Sequence, residues 1–217
     1  MMPSPRRIPW RLTEADLERL REACDEGAGD ACRALRELTG LPLALSAPRA
    51  LELRLHEVQA LLGGTEAEVA ALRLAVRGGS RGAMLIAFDR ASARRVAGAM
   101  VSARPAKAAL QEIHRSALME LGNIVAGAYL GGLGRRLGET LIPSVPELAL
   151  DMAGAVAEAL FVELAEGHDA AIVVRTDLSA PAGPHQAIQG RILLLPDPAT
   201  LPSNRDDLRA DPDGRDR

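Results

Sequence analysis

Apolar positions along this chain recur first at a helical spacing and then at an extended one, and the same succession occurs twice. Thr13 stands where an N-cap would open a long first helix. Gly40 and Gly138 stand where a left-handed residue would close the first helix and a second, equivalent one. After each long helix the pattern predicts a short extended segment through a proline, then a second helical stretch, EVQALLGG (57–64) in one case and AGAVAEAL (153–160) in the other. Four alternating or wholly apolar runs follow as strands: LRLAV (72–76), AMLIAF (83–88), AIVVRT (171–176) and GRILLL (190–195). RASARRVAGAM (90–100) reads as a helix that ends before Pro105. Residues 203–217 are polar, mixed in charge and have nothing to bury, which predicts a disordered tail; the basic start through Arg11 is expected to fray.

The recurrence is a true internal repeat, because one fixed offset of 98 residues aligns it. It pairs Leu20 with Leu118, Glu22 with Glu120, Ala28 with Ala126, Gly29 with Gly127, Leu35 with Leu133, Gly40 with Gly138, Leu43 with Leu141, Ser46 with Ser144 and Pro48 with Pro146. These are nine identities in 31 gapless positions. Past Arg77 and Arg175 the second half is about ten residues longer, after which GAMLIAFD (82–89) aligns with GRILLLPD (190–197). The halves diverge in a loop, DLSAPAGPHQAI (177–188). The fold expected is α/β (α+β): one unit with pseudo-two-fold symmetry, its long helices packed on a mostly antiparallel sheet.

Composition narrows the class of partner. The 217 residues are 47% hydrophobic, enough for one substantial core or two small ones, and the formal net charge of -3 with 2% aromatics excludes a strongly electropositive or base-stacking nucleic-acid binder. From Leu121 to Gly134 the only ionisable group is the Tyr129 phenol, yet this charge-free run is shorter than the roughly 20 residues of a membrane span. The N-terminus has no apolar signal core. The expected location is the cytoplasm. Cys24 and Cys32 sit eight residues apart on one helix, about 12 Å along its axis, too far for a disulfide, and are read as reduced core residues. His56, His114, His168 and His185 have no zinc-ligand spacing, so no metal site of the chain's own is expected.

Candidate chemistry concentrates at SALMELGN (116–123). At 100° per residue, Ser116, Glu120 and Asn123 lie within about 60° of one another, and the same direction continues through Gly127, Gly131 and Gly134. A polar trio is thus followed by a strip nearly free of side chains, where another backbone could come close. The repeat places Glu18, Glu22 and Asp25 at the corresponding positions of the first half, again with a proline 23 residues after the last of them.

Ser116-x3-Glu120-x2-Asn123-x22-Pro146, with LGNIVAGAYLGGL around it and the doubled layout from about residue 12 to 202, resembles the signature of the CheC-type chemotaxis phosphatases, relatives of CheX and of the flagellar switch protein FliY. The resemblance implies two CheC-like halves fused in one domain, 12–104 with a degenerate motif and 105–202 with an intact one. It implies removal of the phosphoryl group from the aspartate of a phosphorylated CheY-type response regulator. Glu120 and Asn123 would be the catalytic pair, Ser116 would lie at the rim and Pro146 would shape the neighbouring loop. Magnesium would belong to the regulator, and the deamidase CheD is a further expected partner. In the first half Glu18, Glu22 and Pro48 fit the motif, but Asp25 replaces the asparagine. A carboxylate repels an anionic phosphoryl group and, when ionised, cannot donate a hydrogen bond to it.

Rival readings are weaker on physical grounds. GGLGRRLG (131–138) ends a helix, whereas a glycine-rich phosphate loop opens one. His114 is turned about 160° from Ser116 and is assigned a surface or packing role rather than that of a general base. Ser116 shows no nucleophile-elbow pattern, and Cys24 has no base nearby. The remaining alternative is a non-catalytic docking module that binds a response regulator, CheD or the flagellar switch.

Overall fold

A computed structural model describes residues 13–54, 57–101, 110–164, 170–180 and 187–201. The start expected to fray, the boundary between the halves expected at 104/105 and the tail expected from 203 onward lie outside these residues.

The chain runs α1 (Glu14–Thr39), β1 (Ala44–Leu45), β2 (Arg49–Arg54), α2 (Val58–Leu61), β3 (Glu68–Gly78), β4 (Gly82–Asp89), α3 (Arg90–Met100), α4 (Glu112–Leu137), β5 (Leu141–Pro143), β6 (Glu147–Met152), α5 (Ala153–Leu164), β7 (Ala170–Ala180) and β8 (Ile188–Pro196). α1 and α4 are the two equivalent long helices, 26 residues each. Thr13 caps α1 through a reciprocal box: its hydroxyl accepts from the Asp16 amide at 3.2 Å, while the Asp16 carboxylate accepts from the Thr13 amide at 2.9 Å. Gly40 (φ 63°) and Gly138 (φ 69°) end the long helices in the left-handed conformation.

All pairings in the eight-stranded sheet are antiparallel, and its path is β1-β7-β8-β4-β3-β5, with β2 also on β7 and β6 also on β3. The centre is β4 against β8, where Leu85 faces Leu193. The short strands of each half therefore pair with the long strand of the other: β2 sets Ala50 opposite Val174, and β6 sets Ala149 opposite Ala71. Ser46 and Ser144, a repeated identity, fasten these crossings. The Ser46 amide donates to the Asp177 carbonyl (2.8 Å) and the Ser144 amide to the Ala75 carbonyl (2.8 Å), and each hydroxyl accepts the same partner's amide, at 3.0 and 2.9 Å.

Alternation along the central strands feeds two cores. Leu72, Leu74, Met84, Ile86, Ile192 and Leu194 face α1, α3 and α4; Val69, Ala71, Leu85, Val173, Leu193 and Leu195 face α2 and α5. The sheet is a middle layer with the long helices on one side and the short ones on the other.

Two local expectations are corrected. Residues 177–180 and 188, read as loop, are strand: Leu178, Ala180 and Ile188 are buried at alternate positions and β7 is paired on both edges there. EVQALLGG yields only a four-residue helix, because Gly63 (φ 108°) and Gly64 (φ 100°) take conformations that favour glycine and turn the chain into β3.

Cys24 is fully buried, but Cys32 is only half-buried, so just one of the two is a core residue; both are free thiols. Burial pushes the Cys24 thiol up to about 12, far from the thiolate form that reacts. A native-state titration with a thiol reagent is thus expected to modify Cys32 readily and Cys24 only on unfolding; rapid loss of both thiols would contradict the packing.

Candidate functional site

α4 carries the polar trio because its other faces are committed to packing. Leu118, Leu121, Val125, Tyr129 and Leu130 are buried in the core beneath the long helices, and Gly122 lies so close to the sheet that a Cβ there would come 3.2 Å from Leu72 Cδ1. Ser116, Glu120 and Asn123 remain exposed on the opposite face. His114 is fully buried, which places it in packing rather than on the surface. Pro146 is buried in the β5–β6 connection, two residues after the Ser144 crossing to β3, and both strands pack against α4.

No hydrogen bond or ion pair engages Ser116, Glu120 or Asn123 among the described residues. Their first-half equivalents are otherwise. Glu18 is bound by the Arg21 guanidinium at 2.6 and 2.8 Å, which holds its carboxyl below the usual range, and Glu22 pairs across the helices with Arg136 at 3.3 Å. Both pairs are exposed and screened by solvent, so they bias these carboxylates without locking them. Asp25 lines a cleft of about 570 Å³ together with Gly29, Cys32, Arg33, Arg36, Ser46 and Ala47. Arg36 spends its Nε on the Leu43 carbonyl (2.6 Å), and Arg33 pairs with Asp30 (2.9 Å). Pro48 is buried, as Pro146 is.

The glycine strip does not act as one surface. Gly127 is open, with nothing within 4 Å of an added Cβ, whereas Gly134 is buried against the Glu139 carbonyl, 2.5 Å from where a Cβ would stand. The close helix crossing lies on the far side of α4: an added Cβ on Gly27 would come 2.4 Å from the Tyr129 carbonyl oxygen, and one on Gly132 would come 2.8 Å from Gly27 Cα. α4 needs small residues on more than one face, which is why the spacing of its glycines did not single out the crossing. Arg135 reinforces the crossing by bonding Glu26 (3.2 Å) and Asp30.

Among the described residues no group of three or more His, Cys, Asp or Glu is placed to hold a metal ion, and no helix is long and apolar enough to cross a membrane.

A pseudo-symmetric sheet bearing two long helices, with one exposed Ser-Glu-Asn stripe and its altered copy, defines the class. Residues 70–167 match the family described as chemotaxis phosphatase CheX. The CheY-P phosphatase CheC of Bacillus subtilis (strain 168) is 32% identical over 189 residues, covering 86% of this chain and 90% of that protein. The putative CheY-P phosphatase CheC1 of Halobacterium salinarum is 28% identical over 189 residues, covering 85% and 93%. Among solved structures, Thermotoga maritima FliY superposes with a TM-score of 0.70 at 17% identity, over 91% of this chain and 97% of that one. CheX in the CheX-CheY-BeF3-Mg complex of Borrelia burgdorferi gives 0.53 at 16%, over 85% and 99%. The chain belongs to the CheC/CheX-type chemotaxis phosphatase family.

Proposed function

We propose that this protein hydrolyses the aspartyl phosphate of a CheY-type response regulator, with Glu120 and Asn123 as the catalytic pair. The observation that carries the reading is the exposed, uncommitted Ser116-Glu120-Asn123 face of α4, set beside a first-half copy whose glutamates are paired and whose amide is a carboxylate. The similarity to a protein named CheY-P phosphatase supports it.

An aspartyl phosphate is a reactive acyl phosphate, so the phosphatase contributes mainly by placing water in line with phosphorus. The Asn123 amide accepts from that water through its oxygen and donates to a phosphoryl oxygen through its nitrogen, adding no charge. Glu120, three residues earlier on the same face, pairs with a lysine of the regulator and so fixes how α4 sits over the phosphoryl group. Ser116 borders the contact, and Pro146 shapes the loop beside it. Magnesium enters with the regulator. Asp25 cannot perform the Asn123 role, so Glu18, Glu22, Asp25 and Pro48 form a degenerate site.

The test follows the decay of a phosphorylated chemotaxis regulator with the wild-type protein, Asn123→Ala and Asp25→Asn. Acceleration that Asn123→Ala removes supports the proposal. Binding without acceleration at catalytic amounts would replace it with the docking module, whose partners would be the regulator, CheD or the flagellar switch.

A further inference from the structure

The pseudo-two-fold axis supplies an internal control: whatever the fold requires of one half, it requires of the other. Buried repeat pairs obey this, with Leu20 and Leu118, Leu35 and Leu133, and Leu43 and Leu141 all buried. Exposed large apolar residues do not. Among the described residues they are Ile113 (55% exposed), Met119 (37%), Ile142 (56%), Val145 (78%) and Met152 (52%), all in the second half. The 98-residue offset sets Ala15, Arg21, Ala44, Ala47 and Arg54 at the corresponding positions. Every one of the five is small or charged in the copy.

Packing does not explain the asymmetry, since the same backbone tolerates alanine and arginine at these places. Exposed apolar side chains clustered in one region mark a contact surface, and methionine and aliphatic groups around a polar centre have the composition of an interface. The placement agrees. Ile113 and Met119 lie on either side of the Ser116-Glu120-Asn123 stripe, each about 60° from part of it around α4. Val145 directly precedes Pro146, and its equivalent Ala47 lines the same cleft as Asp25, the equivalent of Asn123. Gly127, one turn beyond Asn123, leaves the approach open.

Resting on the function proposed above, we infer that Ile113, Met119 and Val145 form an apolar collar that docks one response regulator over the Glu120–Asn123 stripe, and that the first-half face docks none. The collar supplies affinity and the stripe supplies chemistry. One molecule of this protein therefore engages one regulator at a time, despite having two equivalent helices.

The experiment titrates the full chain with a CheY-type regulator activated by beryllofluoride, a stable stand-in for the phosphorylated form, by calorimetry, and measures steady-state hydrolysis in parallel. The wild type is expected to bind one equivalent. Transplanting first-half residues, in Ile113→Ala/Met119→Arg/Val145→Ala, is expected to weaken binding at least tenfold, with the loss of hydrolysis appearing in KM. Ala47→Arg on the opposite face is expected to retain wild-type affinity. Val145→Arg alone serves should the triple variant fail to fold by circular dichroism. Wild-type affinity in the transplanted variant, two equivalents bound, or no binding by the wild type would each overturn the inference. Rescue of Asn123→Ala by Asp25→Asn would also overturn it, since the first face would then be docking a regulator. One equivalent bound through the collar without any hydrolysis would leave the inference standing and remove the catalytic proposal instead.

Discussion

Asn123→Ala is expected to slow regulator dephosphorylation by about two to three orders of magnitude while the protein stays as stable as the wild type or becomes slightly more so. The size follows from the role: removing one preorganised donor aimed at developing charge costs about 10²–10³ in rate, and here the same amide would also orient the water. The unchanged stability follows from the structure. Asn123 is exposed and makes no hydrogen bond or ion pair among the described residues, so truncation orphans nothing. Alanine also improves helix propensity by up to about 0.7 kcal/mol. A fluorescence-detected melt beside the decay assay separates the two effects. A parallel fall in stability and activity would mean that Asn123 supports the helix rather than the reaction.

The second large effect concerns two glycines of α1. Gly27→Ala is expected to lower the thermal midpoint, and Gly29→Ala, two residues on, to raise it. Alanine gains about 1 kcal/mol over glycine in a helix interior, and at Gly29 nothing within 4 Å opposes the gain. At Gly27 the new Cβ would stand 2.4 Å from the Tyr129 carbonyl oxygen, a backbone atom that moves only if the helices part. Overpacking of this kind costs about 1–3 kcal/mol and occasionally more. Separating the helices also stretches the Arg135 contacts to Glu26 and Asp30. The crossing term wins, by up to about 2 kcal/mol, which is a few degrees in a domain of this size. Calorimetric melts of the two variants check it; movement in the same direction would show that propensity, not the crossing, sets the response.

The elements that the sequence disclosed are those set by local rules. Thr13, Gly40 and Gly138 mark the long helices through capping and left-handed closure, and the alternating or wholly apolar runs mark the four central strands. The Ser116-Glu120-Asn123 face was legible because three positions on one helix fix their own mutual direction. What stayed hidden depends on residues far apart in the chain. Which strand β2 and β6 would join is decided 74 to 126 residues away, and neither composition nor period carries that choice. The same holds for Gly27 and Gly132, whose meeting is a property of two helices together, and for Arg136 reaching Glu22. Ser46 and Ser144 were visible as an identity of the repeat, yet their hydroxyls acquire a purpose only once the opposite strand is in place. The five exposed apolar residues became informative only when exposure was known and the two halves could be compared.

The crossed strands have a consequence for synthesis. As the chain leaves the ribosome, β3 and β4 can close their hairpin early, but the outer edge of β3 is filled by β5 and β6, and the outer edge of β4 by β8, all of which emerge later. β2 must likewise wait for β7. The first half is therefore committed to a period with apolar strand edges unpaired, the condition that favours slow closure and aggregation. A nascent chain halted near residue 105 would hold only the β3–β4 pairing of the six that β1 to β4 make in the finished sheet, and completion of either half is tied to translation of the other.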